Sequence, residues 1–151
     1  MSYELIKVTT ESDWGEYHAL RRHVLWEARG QSGYDDKRPE EHNPTNTPLL
    51  LKLNGRSIGT TRLDNLRGHK GVVRLVAIAA DVQRQGHGRI LSELVENYAR
   101  GLDLNTLFVN ADPNAVGYYE KMGWETHVWD RAELTGIASH CMQMKKALLH
   151  K

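Results

Sequence analysis

A chain of 151 residues and 17.2 kDa has room for one core, so a single domain over residues 1–151 is expected. Twenty Lys+Arg against nineteen Asp+Glu leave a formal net charge of +1, which argues against nucleic acid as the main partner. The longest apolar run, Leu75 to Ala80, is far shorter than the ~20 residues of a membrane span, and the lone Cys141 excludes an internal disulfide or a cysteine-based zinc site. The start Met1-Ser2-Tyr3-Glu4 has neither the basic nor the apolar region of a signal peptide, so the expected compartment is the cytoplasm, with no membrane partner.

Residues Tyr3 to Thr9 alternate as a strand. Glu11 to Arg29 reads as one amphipathic helix, with Trp14, Tyr17, Leu20, Val24 and Ala28 at helical spacing, Ser12 or Thr10 as cap and Gly30 as stop. Gly30 to Pro48, with three prolines and two glycines, reads as a long surface loop with room for a short helical turn. Leu49 to Leu53, Asn54-Gly55 and Ser57 to Leu63 form a hairpin, because Asn-Gly supplies the positive φ angles of a type I′ turn. Gly71 to Ala80 is apolar almost throughout, as a strand covered on both faces would be.

A helix is expected to begin near Gly86. Leu91, Leu94, Val95, Tyr98 and Leu102 form its inward stripe, and Gly101 its stop. Thr106 to Val109 reads as a short buried strand and Asn114 to Met122 as a short helix ended by Gly123. Trp124 to Trp129 and His140 to Lys146 read as two closing strands. The expected class is α/β, a mixed, mostly antiparallel central sheet flanked by helices.

The segment from Arg74 to Arg89, RLVAIAADVQRQGHGR, carries the chemistry. A buried strand runs into a glycine turn and then into a helix whose first N–H groups are unpaired, with the positive end of the helix dipole behind them. Gly86 and Gly88 let backbone approach a ligand, and Arg84 and Arg89 add charge at the rim. That pattern suits a phosphate or pyrophosphate. It is no P-loop, since Arg89-Ile90 follow Gly88. It is no dinucleotide fingerprint either, since Leu91 stands at the third glycine.

In context, Gln83-Arg84-Gln85-Gly86-His87-Gly88 resembles the acetyl-CoA-binding motif of the GCN5-related N-acetyltransferases. Downstream, Asn114-Ala115-Val116-Gly117-Tyr118-Tyr119-Glu120-Lys121-Met122-Gly123-Trp124 looks like that family's Tyr-Glu-Lys-x-Gly signature. The resemblance implies the family's acyl-CoA N-acyltransferase fold, in which two central strands splay to form the cofactor cleft. It implies acetyl-CoA as cosubstrate and no metal. Main-chain groups at Val76, Ala77 and Ile78 would meet the pantetheine arm, Gln83 would shape the turn, and the amides from Arg84 to Arg89 would cradle the pyrophosphate. Asn114 would contact the pantetheine wall. Tyr119 would stand at the thioester sulfur as general acid, a backbone N–H near Ile78 would stabilise the oxyanion, and Tyr118 is the alternative donor. The plainer reading of Tyr118 packs its ring on the sheet.

The proton acceptor for the attacking amine is unassigned. Where some relatives carry a glutamate stands Asn110, and where others carry an acid stands Arg74. Asp112, Glu41 and His42 are the remaining candidates. Arg62 or Arg74, if facing the cleft, would receive a carboxylate or phosphate on the acceptor; otherwise each pairs with an acid. The eight histidines include no i,i+4 pair and suggest no metal site. His140 and Cys141, as strand neighbours, would face opposite ways, with Cys141 a small buried hydrophobe. The 26–42 segment would help form the acceptor pocket. The reading is therefore an N-acetyltransferase moving an acetyl group to a primary amine, on a small molecule or a peptide, with a homodimer as a further option. The alternatives are a non-catalytic acyl-CoA sensor or partner-binding module on the same fold, and an unrelated phosphate-ligand protein sharing only the glycine turn.

Overall fold

The computed structural model describes residues 2–149. Seven strands form one sheet: β1 Tyr3–Lys7, β2 Asn46–Leu53, β3 Arg56–Asn65, β4 Lys70–Ile78, β5 Thr106–Ala111, β6 Glu125–Thr126 and β7 Met142–Ala147, in the order β1-β2-β3-β4-β5-β7-β6. The β4–β5 pair is parallel and the others antiparallel. The helices are α1 Glu11–Arg21, α2 His87–Gly101 and α3 Val116–Lys121. No helix among the described residues is long and apolar enough to cross a membrane.

Alternation in β2 sorts the two layers. Leu49 and Leu51 join Leu91, Val95 and Ala99 of α2 in the main core, whereas Leu50 joins Val8 and Tyr17 of α1 on the other face. Each such fully buried leucine contributes about 1.5–3 kcal/mol. The hairpin forms as its sequence predicts, with Asn54 at φ 52° and Gly55 at φ 85°. At Gly71 a Cβ would lie 2.8 Å from Leu104 Cδ1, so any side chain there would force the surrounding leucines to move.

Thr10 caps α1 in a reciprocal capping box with Asp13. The expected single helix to Arg29 is α-helical only to Arg21. A π-helical turn, Arg22–Trp26, and a 3₁₀ turn, Glu27–Arg29, carry it on to Gly30, which caps it at φ 70°. The wider turn re-phases the helix and brings both Val24 and Leu25 to the interior cleft. Within the 30–48 loop, Pro39–His42 makes a 3₁₀ turn, and β2 begins earlier than expected, at Asn46. Pro48 fits that strand because its carbonyl accepts from Val8 N–H (2.9 Å) where the β1–β2 ladder ends, so its missing N–H costs no ladder bond.

Two further expectations need correction. The strand expected over Trp124 to Trp129 is confined to Glu125–Thr126, and β7 enters between β5 and β6. Beyond Thr126 the chain leaves the ladder for side-chain partners. Gln143, 2% exposed, accepts from Trp129 and Asp130 N–H (both 2.9 Å) and donates to the Asp130 carbonyl, while the Trp129 indole donates to the Val109 carbonyl (3.1 Å). His140 and Cys141 precede β7 in a turn, so strand alternation does not govern them, and Cys141 is half-buried.

The feature that positions the site is the parting of β4 from β5. They pair only over Lys70–Val73 and Thr106–Val109, after which β4 runs on to Ile78 with β3 alone. Against β3 it bulges: Arg62 faces Arg74 and Thr60 faces Ala77, leaving Leu75 and Val76 opposite Thr61. Leu75 adopts φ 54°, and the Thr61 hydroxyl fastens the bulge by donating to the Arg74 carbonyl (2.8 Å).

Candidate active site

The parted strands open a cavity of about 840 Å³, closed by the start of α2, by α3, by the end of the α1 segment and by residues 133–141. Its lining holds Val76, Ala77, Ile78, Gln83, Arg84, Gly86, His87, Gly88, Arg89, Asn114 and Tyr119. Of the residues expected to hold the cofactor, Gln85 alone is not in this lining; it sits exposed on the turn.

The glycine turn is built for close approach. Arg84 adopts φ 64° and Gly86, the N-cap of α2, φ 87°, and no side chain caps the helix. The first bond into the helix runs from Ile90 N–H to the Gly86 carbonyl (3.3 Å), so the N–H groups of residues 87–89 have no helical acceptor. Gln83 closes the turn by donating from Nε2 to the Ile78 carbonyl (2.9 Å). The His87 imidazole turns away and bonds through Nδ1 to the Tyr3 hydroxyl (2.8 Å). Arg89 pairs with Glu93 at the exposed rim. Beside this turn, the β4 main chain from Arg74 to Ile78 has no strand partner on its β5 side. Together these fit a diphosphate followed by an extended arm that carries amides.

The two tyrosines of α3 reach the cavity differently. Tyr118 is 44% exposed. Its hydroxyl lies on the first turn of α2, so that a Cβ on Gly88 would sit 3.0 Å from it. Tyr119 packs within the core, edge-on to Trp124 with centroids 5.5 Å apart. Burial, with Tyr118 and Cys141 adding to it, pushes its phenol up to about 12. Its hydroxyl has no hydrogen-bond partner among the described residues.

At the opposite end the cavity is lined by Val24, Leu25, Arg29, Arg74, Asn110, Asp112, Glu133 and Cys141. Neither Arg62 nor Arg74 is free to receive an anion. Arg62 donates to Glu41 (3.0 Å) and twice to Asp64 (2.6 and 2.8 Å). Arg74 donates to Asp64 (2.6 Å) and, through both Nη atoms, to Glu133 (2.6 and 3.0 Å). Arg21 also pairs with Glu41, and the Tyr17 hydroxyl donates to the same carboxylate (2.9 Å). A ladder of alternating charge thus runs from Arg21 under the 39–42 turn to Glu133 in the cavity.

Of the three acids and bases considered for the acceptor's proton, Glu41 is buried inside this ladder. His42 lies against Trp14 (4.9 Å) outside the cavity, and Asp112 alone lines it, with Oδ1 accepting the Asn114 N–H (2.9 Å). Glu133 was not legible as a site residue. It comes from an irregular segment whose place depends on Gln143 and Arg74, and no local pattern marks it.

Comparison with known proteins agrees with this arrangement. A family model described as "Acetyltransferase (GNAT) domain" matches residues 31–146. The fold is shared with the ribosomal-protein-S18-alanine N-acetyltransferase of Escherichia coli (15% identity, 99% of this chain and 96% of that one, TM-score 0.76). It is shared equally with an acetyltransferase of the GNAT family from Staphylococcus aureus (14%, 98% and 100%, TM-score 0.78). An aminoglycoside 6′-N-acetyltransferase solved with coenzyme A matches as well (13%, 100% and 99%, TM-score 0.77). With the parted β4 and β5, the uncapped glycine turn and a family match over most of its length, the chain belongs to the GNAT acetyltransferase family.

Proposed function

We propose that the protein moves the acetyl group of acetyl-CoA to a primary amine, on a small molecule or a peptide, by direct attack within a ternary complex. The observation that carries this is the pairing of two features in one cavity: an unpartnered strand edge ending in a bare helix N-terminus, and the partnerless hydroxyl of Tyr119. The uncapped N–H groups of residues 87–89 and the positive end of α2 would hold the diphosphate of acetyl-CoA. The free main chain of Val76 to Ile78 would bond the pantetheine amides as a neighbouring strand would. Asn114, exposed on the cavity wall, would bound the same arm.

The chemistry needs a donor for the departing thiolate and a dipole for the oxyanion. A backbone N–H near Ile78 would be the oxyanion donor. With its phenol raised to about 12, Tyr119 keeps its proton throughout the physiological range and so meets the thioester as a donor. The dry surroundings penalise phenolate and thiolate alike, so Tyr119 would act by hydrogen-bonding the sulfur and passing its proton as the C–S bond breaks, with the phenolate reprotonated from solvent. No covalent enzyme intermediate is required, and Cys141 is a poor nucleophile, its thiol raised by burial and by the nearby Asp112 carboxylate.

The test is thiol release from acetyl-CoA across a panel of primary amines, with the N-acetylated product identified by mass spectrometry. Amine-dependent release with a matching product supports the reading. Tight CoA binding with no release across amines, amino acids and peptides would favour the sensor instead.

A further inference from the structure

The acceptor end of the cavity holds a side chain with a defined orientation and no assigned task. Glu133 enters from the 3₁₀ turn Arg131–Glu133, 59 residues in sequence from the arginine that holds it. Each of its oxygens accepts one bond from Arg74, at 2.6 and 3.0 Å. Asn110 stands near the same carboxylate and helps hold it low, its Oδ1 accepting from Gln143 Nε2 (3.0 Å) so that the NH₂ is left to donate. The carboxylate is thereby fixed, yet a lone pair remains free on at least one oxygen, and the group lines the cavity.

Arg74 has no unmatched charge for the acceptor, because two carboxylates already face it: Asp64 on Nε (2.6 Å) and Glu133 on one N–H of each Nη. Asp112, the other acid in the lining, has Oδ1 committed to a backbone N–H. Arg29 lines this end too, exposed and without an ion-pair partner among the described residues, so a cation stands at the outer rim and a carboxylate farther in.

We propose that Glu133 is the acceptor-binding residue, receiving the ammonium group of an alkylamine and holding it beside the thioester end of the cavity. This rests on the acetyltransfer reading of the same cleft. Free alkylamines have pKa values near ~10, so they arrive as ammonium ions with three donors and need a preoriented carboxylate. Arg74 also holds Glu133 below the usual carboxylate range, which keeps it charged and makes it a poor base. Its part is to bind and orient; the amine's proton leaves to solvent before attack.

The experiment titrates the protein saturated with CoA with n-butylammonium chloride, followed by NMR at constant ionic strength, in the wild type, Glu133→Gln and Glu125→Gln. The last removes one negative charge from an exposed acid outside the cavity lining. Expected is binding to the wild-type complex and to Glu125→Gln within twofold. Glu133→Gln should weaken it on the order of tenfold or more, as loss of a charged hydrogen-bond partner implies, with CoA affinity within twofold throughout. A merely structural role would move CoA affinity or thermal stability along with it. Equal ammonium binding in Glu133→Gln, or none in a wild type that does bind CoA, overturns the proposal. Failure of the wild type to bind CoA instead removes the acetyltransfer reading beneath it. Should Glu133→Gln unfold, the neutral pair Arg74→Gln/Glu133→Gln is used, and retained ammonium binding there is equally fatal.

Discussion

Replacing Tyr119 by Phe removes one oxygen and little else. The ring stays edge-on to Trp124, 5.5 Å between centroids, and the lost hydroxyl had no partner among the described residues. Unfolding free energy should therefore change by no more than about 0.5 kcal/mol. Loss of a general acid costs roughly 10²–10⁴-fold in rate, which corresponds to about 3–5 kcal/mol of transition-state stabilisation. The assay is kcat for amine-dependent thiol release, beside the Kd for CoA and a urea melt. The expected result is a kcat lower by at least a hundredfold with Kd and midpoint unchanged. A kcat within threefold of wild type, or a large loss in Tyr118→Phe instead, would refute the assignment. The alkaline behaviour gives a second check. Between the reference phenol value of ~10 and about 12, the folded protein keeps a proton on Tyr119 that the unfolded chain loses. Stability is then complete below pH ~10 and falls as pH rises, by roughly 1 kcal/mol per pH unit. Tyr17, also raised by burial, adds to the fall, so Tyr119→Phe should flatten the slope without abolishing it.

Three further outcomes follow from the geometry. Glu41→Gln should cost about 3 kcal/mol or more by urea denaturation, because it strips the buried Arg21 and Arg62 of their shared counter-charge, and Arg21 Nε and Nη2 already have no partner. Burial works to raise Glu41, but Arg21 and Arg62 outweigh it and hold the group low. Its contribution is therefore present at neutral pH and lost as pH falls below ~4, and the acid midpoint should shift less steeply in the variant. Gly88→Ala should leave thermal stability within about 1 kcal/mol, since Tyr118 can swing aside. It should nevertheless weaken CoA at least tenfold by calorimetry, because the methyl group, 3.0 Å from the Tyr118 hydroxyl, fills the approach to the turn proposed to hold the diphosphate. Gln143→Ala removes four hydrogen bonds, to Trp129 N, Asp130 N, Asn110 Oδ1 and the Asp130 carbonyl, and should cost about 2–3 kcal/mol. Hydrogen exchange should accelerate over residues 127–141 before it does so elsewhere.

What the sequence disclosed and what it withheld divide along one physical line. The Asn54-Gly55 hairpin, the Leu91–Val95 stripe and the Gly86–Gly88 turn are local, each fixed by backbone preferences or a single period, and all three appear where expected. The inward line of α1 was only half legible. Hydrophobic spacing finds Tyr17 but not Asp13 or Arg21, because a charge is buried only when distant partners neutralise it, and Glu41 lies 20 residues from Arg21. The truncation of β6 and the placing of β7 beside β5 depend on Gln143 and Trp129 bonding across strands, which no windowed pattern contains. The same long-range wiring hid Glu133 while Asp112, at the end of a readable strand, was found. The motif half of the cleft was visible because it is contiguous; the half proposed for the acceptor is assembled from four separated segments.

The central claim is that the parted strands and the glycine turn form an acetyl-CoA site. Calorimetric titration with acetyl-CoA, CoA and ATP tests it most directly. The account predicts a one-to-one site that takes acetyl-CoA and CoA and ignores ATP, with thermal stabilisation of ~2–3 kcal/mol at a hundred times the dissociation constant. No heat and no stabilisation with either CoA species, or equal binding of ATP, would contradict it.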